Sequence, residues 1–277
     1  MKLNLPLTIY HVLRIAVAMC FIGHGAFGII TKQIWCNYFA VFGIGQELAY
    51  RLMPVVGFID IALGVLMFIY PVRLIPVWLV LWGTTTALLR PLSGEPFAEF
   101  IERAGNFGAP LALLILSGFS LKDKNLFTQV FVSPEPDEEV MRRLAVYLRI
   151  IVFLLLLGHG WLNMIGKKGL LNQYASVGFA NPDTIATIVG MVEVLSAFFV
   201  LIKPLRPLLI FLFAWKMFSE MFYPHYALFE WIERGGSYGT ILALWLVTGK
   251  YFPSINKKEK RPLRRVPEPI NLNIIAY

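Results

Sequence analysis

The stretch LRIAVAMCFIGHG, Leu13 to Gly25, returns as LRIIVFLLLLGHG, Leu148 to Gly160. At this offset of 135, Lys32 meets Lys167, Asn37 meets Asn172 and Gly43 meets Gly178. With two residues lost from a loop, Gly57-Phe-Ile-Asp60 matches Gly190-Met-Val-Glu193, Pro71 matches Pro204, and Trp82 matches Trp215. After a second loss of two, EFIERAGNFG from Glu99 matches EWIERGGSYG from Glu230. Chance similarity between apolar helices yields scattered Leu and Val matches. Motifs kept in order with small gaps indicate an internal duplication.

Each copy carries four apolar stretches, near 7–30, 53–70, 74–92 and 104–120, then near 142–165, 184–202, 205–223 and 236–252. The 277 residues are 57% hydrophobic, 14% aromatic and only 15% charged. A soluble domain carries roughly 25% charge. Helices of about 20 apolar residues cross a ~30 Å hydrocarbon layer. The reading is therefore an all-α polytopic membrane protein with eight transmembrane helices. Four spans per copy send both copies in from the same side, as two parallel four-helix repeats. The division is 1–120 for the first repeat, 121–141 for a cytoplasmic linker with SPEPDEE, 142–255 for the second repeat and 256–277 for a basic, proline-broken tail. The first span is too long for a signal peptide and is copied later, so it reads as a permanent helix. Cys20 and Cys36 form no CxxC or zinc-type spacing.

Orientation follows from Lys and Arg. Seventeen of the 25 fall on the side of the N-terminus, the even-numbered loops and the tail, against seven opposite and Lys216 within a span. Both termini are expected in the cytoplasm of a cell whose inner membrane holds the chain. A basic tail beside an anionic leaflet accounts for the net charge of +8 without a nucleic-acid partner.

Ionisable residues inside spans are costly and face a bundle interior or cavity. Here they are His24, Asp60, His159, Glu193, Lys216 and Glu220. His24 lies about seven residues before the outer end of its helix and Asp60 about seven after the outer start of the next. Both are thus roughly 10 Å deep. His159 and Glu193 repeat this level. Glu102-Arg103 and Glu233-Arg234 stand above them, so an outer-half polar cavity is expected. Lys216 and Glu220 align with Gly83 and Ala87, which makes the second half the expected host. His159, Glu193 and Glu220 should converge there, with Glu233 and Arg234 at the mouth. Plainer readings stay open: each histidine can simply hydrogen-bond its acid, the IER pairs can be helix-start ion pairs, and Lys216 can neutralise Glu220.

Arg at the start of a glycine-rich first helix, Lys at its outer end, an acid two turns into the second helix and Glu-Arg-Gly before the fourth resemble DoxX-like membrane proteins. Arg14, Gly23, Lys32, Asp60 and Gly105 carry the resemblance in the first copy, and Arg149, Gly158, Lys167, Glu193 and Gly236 in the second. Most members have one four-helix unit, so the fused pair departs from the pattern. The family includes the DoxD subunits of thiosulfate:quinone oxidoreductase. The resemblance implies a quinone-linked redox subunit, with His159 or His24 as proton acceptor and Glu193 or Asp60 as the orienting carboxylate. A haem b held by the two histidines is the weaker cofactor alternative. No nucleotide-binding glycine motif is present, so electrons must come from a partner subunit or from the substrate. The competing class is non-enzymatic: an accessory subunit of a membrane complex, or a small-solute carrier.

Overall fold

A computed structural model describes residues 4–120, 125–222 and 228–251. The chain is all-helical in architecture. In order come α1 (Leu5–Ile29), α2 (Trp35–Ala40), α3 (Gln46–Ile69), α4 (Leu74–Leu92), α5 (Ala98–Glu102), α6 (Ala104–Leu116), α7 (Glu138–Met164), α8 (Lys168–Ser176), α9 (Pro182–Ile202), α10 (Arg206–Ser219), α11 (Leu228–Glu233) and α12 (Gly235–Tyr251). Four of these, α1, α3, α4 and α9, are long and apolar enough to cross a membrane. Their exposed apolar side chains, such as Phe58, Ile69 and Ile202, suit a lipid environment.

Local chemistry sets the helix ends. Asn4 and Asn181 cap α1 and α9 by accepting from the backbone N–H of Leu7 and Thr184, each with a proline following in the first turn. Helix α3 starts earlier than its apolar run predicts. The polar turn QELAYR before Met53 is itself helical, with Glu47 and Arg51 paired at 2.6 Å along one face. At the other end Arg14 Nε donates to the Met67 carbonyl at 2.5 Å, and its Nη2 donates to Phe68. Arg149 does the same for α9, donating to Leu201 and, at 3.2 Å, to Ile202. The two arginines thus satisfy the orphan carbonyls of the helix beside their own, where a cation is also favoured by the helix dipole.

Packing depends on missing side chains. Helix α1 lies on α3 so closely that a Cβ on Gly25 would sit 2.5 Å from the Gly57 carbonyl oxygen, and α7 on α9 so that one on Gly160 would sit 2.8 Å from that of Gly190. At the centre α6 meets α12, where a Cβ on Gly236 would lie 2.6 Å from the oxygen of Gly105. Large buried side chains, including Leu13, Leu113, Leu148 and Leu244, complete one core spanning both halves of the chain.

The join between the halves is more firmly attached than its charge suggests. Arg73 and Leu74 donate to the carbonyls of Thr128 and Leu126, and Val130 donates to that of Pro71. Val130 and Val132 are buried in the core. Two valines alternating with exposed residues give this stretch an inward face, and the acidic run begins only after it. Helix α7 then starts at Glu138, within that run, because Glu138 and Glu139 stand at a helix N-terminus and Glu139 pairs with Arg142 and Arg143. The basic tail from 256 lies outside the described residues.

Candidate functional site

The GHG motif resolves into three separate jobs. His24 Nδ1 meets Asp60 Oδ2 at 2.8 Å, and His159 Nδ1 meets Glu193 Oε2 at 2.5 Å. The glycine after each histidine admits α3 or α9. The glycine before it admits a segment from the other half: a Cβ on Gly23 would lie 2.3 Å from the Glu233 nitrogen, and one on Gly158 would lie 2.3 Å from the Glu102 nitrogen. Helix α11 therefore lies on α1, and α5 on α7. Two ion pairs follow the same exchange, Lys32 with Glu230 and Lys167 with Glu99.

Between the halves runs a buried ionic chain. Arg103 Nη1 holds Glu99 at 2.6 Å and Glu102 at 2.8 Å. Arg234 Nη1 holds Glu102 from the other half at 2.7 Å, and its Nε stands 3.6 Å from Glu220. Lys216 Nζ is 3.1 Å from Glu220, one turn away on α10. Burial alone would raise the Glu102 carboxyl, but the guanidiniums of Arg234 and Arg103 outweigh it and hold the group well below the usual range.

The two histidines then part company. Around His159 the described residues form a polar network: Asn163 Nδ2 reaches Glu193 at 3.3 Å, Tyr174 donates to Asn163 at 2.8 Å, and Trp215 Nε1 donates to Glu193 Oε1 at 3.2 Å. His159 is 5% exposed, Glu193 and Lys216 each 1%. His24 instead stands in the wall of a cavity of about 100 Å³. Its apolar sides come from Trp35, Phe39, Phe42, Val56 and Leu89; its polar groups are His24, Trp82, Arg90, Arg103, Asn106 and Glu233. Tyr38 closes one edge, donating to Glu95 Oε1 at 2.6 Å beneath the Arg90 guanidinium, and burial pushes its hydroxyl pKa up.

This arrangement differs from the sequence expectation in two respects. The cavity that His24 lines is built mainly by the first half, with Glu233 from the second, although the extra charges sit in the second. Lys216 and Glu220 occupy positions where the first half has Gly83 and Ala87, so the added side chains fill volume beside Glu193 rather than line a space. Glu233 also changes place. It was expected above His159 but lines the His24 cavity, because α11 packs across onto α1. Arg103 joins it there, while Glu102 and Arg234 lie in the ionic chain between halves. Trp82, Arg90, Tyr38 and Asn106 were not singled out from the sequence. Trp82 carried a usable signal, since it aligns with Trp215 while the acid aligned with Glu193 is Asp60.

No protein-family model, curated protein or solved structure matches the chain.

Proposed function

We propose that the chain is a DoxX-like inner-membrane protein of eight spans in two parallel repeats, working as a quinone-linked redox subunit through the His24 cavity. Support for the repeat comes from equivalent positions making equivalent contacts: Lys32–Glu230 with Lys167–Glu99, and His24–Asp60 with His159–Glu193. Support for the spans comes from α1, α3, α4 and α9, and from the remaining four helices of 13 residues or more lying between them in the same core.

One observation carries the redox reading: a histidine, held from behind by a carboxylate, in the wall of a mainly apolar, ring-sized cavity. Asp60 takes the Nδ1 proton as hydrogen-bond partner, which leaves Nε2 as the basic nitrogen of the ring. A quinol loses two protons and two electrons when oxidised. His24 receives one proton while Asp60 holds the resulting imidazolium, the second proton leaves to water at the cavity mouth, and the two electrons pass to an oxidised redox cofactor of a partner subunit. His159 and Glu193, buried and hydrogen-bonded to Asn163 and Trp215, serve the second half as structure.

The exposed apolar faces of α3 and α9 favour one other reading, an accessory subunit packed in a larger complex without redox work. Quinone extracted with the purified protein distinguishes them. Asp60→Asn should strip bound quinone while Glu193→Gln retains it. Equal quinone in wild type and Asp60→Asn would reject the redox reading.

A further inference from the structure

Trp82 Nε1 is a buried donor with no hydrogen-bond partner among the described residues, and the Trp82 side chain forms part of the wall of the His24 cavity. Its counterpart Trp215 has an acceptor, Glu193 Oε1 at 3.2 Å. The difference is one methylene. Glu193 is long enough to give one oxygen to His159 and the other to Trp215. The aligned acid Asp60 gives Oδ2 to His24 at 2.8 Å, and neither of its oxygens accepts from the Trp82 indole. No other polar group of that wall accepts from it either: the hydroxyls of Thr85 and Thr86 donate to carbonyls of their own helix, Leu81 and Gly83, and take no bond from the indole. An indole N–H buried without an acceptor is costly, and tryptophan is tolerated in such places where its N–H reaches a partner.

We propose that the Trp82 indole N–H is the donor that positions the ligand of the His24 cavity, by bonding an oxygen on a ring-shaped, otherwise apolar molecule. The inference rests on the ligand-binding reading of that cavity and deepens it. Trp82 and His24 Nε2 present a donor and an acceptor to the same molecule, while Trp35, Phe39 and Leu89 pack on its ring. A quinone carbonyl or a phenol hydroxyl meets this pattern; a plain hydrocarbon does not.

The test uses the full chain in lipid nanodiscs and three probes with the same decyl tail: a benzoquinone, a phenol and a benzene. Two variants are needed. Trp82→Phe keeps a ring and removes the N–H. Asp60→Glu supplies the missing methylene and offers the indole the acceptor that Glu193 gives Trp215. Both variants should bind decylbenzoquinone about tenfold more weakly than wild type, with decylbenzene unaffected. Unchanged quinone binding in Trp82→Phe overturns the role of Trp82 and leaves the quinone reading standing. Should only decylphenol bind, with the same dependence on Trp82, the donor role holds and the quinone reading falls. Failure of all three probes to bind wild type overturns both. If Trp82→Phe does not fold, Asp60→Glu decides alone, and unchanged binding there rejects the proposal.

Discussion

Arg234 Nη1 lies 2.7 Å from Glu102 Oε1, joining residues 132 apart in sequence. Both side chains are nearly excluded from solvent, at 7% and 2%, so the pair rather than water must satisfy their charge. Around it Arg103, Glu99 and Glu220 continue the chain of opposite charges. The contact clamps the two halves at the level where α5 and α11 have changed sides.

Breaking that clamp on one side only should be severe. Arg234→Met leaves Glu102 with Arg103 but removes the cross-half bond, and loss of a buried partner costs about 3–5 kcal/mol. Thermal unfolding in detergent should fall accordingly. A shift no larger than that of an exposed pair such as Glu47–Arg51 would contradict the clamp.

Acid should release the same contact. The Glu102 carboxyl is depressed in the folded chain, so its contribution is full above the unfolded value of about 4.3 and is lost as pH falls through the folded value. The melting temperature is expected to hold steady from pH 8 to 5 and to drop below about pH 4. Glu102→Gln starts lower, and its gap from wild type should narrow through that acid range. A gap that stays constant from pH 7 to 3 would show that Glu102 does not drive the acid response.

Glycine substitutions separate close approach from helix propensity. A Cβ at Gly158 would sit 2.3 Å from backbone nitrogen in α5, a neighbour that cannot swing aside. Gly158→Ala and Gly23→Ala should each destabilise by roughly 1–3 kcal/mol or more. Gly169, in α8, has nothing within 4 Å of an added Cβ, so Gly169→Ala should be neutral or stabilising by up to about 1 kcal/mol. The melting temperatures of the three variants give the ranking, and equal losses at all three would remove the packing argument.

The arginine caps predict a matched pair of effects. Arg14→Ala exposes the last carbonyls of α3, and Arg149→Ala those of α9. Each should cost about 1–2 kcal/mol, with amide hydrogen exchange rising in the final turn of the capped helix. Exchange that rises instead around the arginine's own helix would show that the bonds to α3 and α9 are unimportant.

Sidedness is a separate matter from packing. Single cysteines at 95 and 260, in a background where Cys20 and Cys36 are replaced by Ser, should label from opposite faces of sealed vesicles. Labelling of both from one side would reverse or break the proposed eight-span arrangement.

How much of this was readable beforehand depends on range. Helix positions followed from apolar runs, a pattern set within a few residues. The histidine–acid pairs were legible because equal depth in two adjacent helices is simple arithmetic on helix rise. Short helices α2, α5, α8 and α11 were not: at five to nine residues they carry too little periodicity and owe their order to what they rest on. Lys216 and Glu220 misled for a related reason. Charge within a span signals a cavity or a filled ion pair equally well, and only the volume available beside Glu193 distinguishes them.

The sequence by itself determined the helical character, the recurring GHG and IER segments and the positions of the ionisable groups along their helices. These are properties of local periodicity and of positions along one helix axis. Tertiary structure alone decided which half each IER segment serves, because a backbone seated on a glycine of the other half leaves no local trace in composition. It also decided that His24 stands in a cavity wall. That outcome turns on side-chain volume: Lys216 and Glu220 pack beside Glu193 where the first half has Gly83 and Ala87, and Glu193 reaches Trp215 while Trp82 finds no acceptor among the described residues.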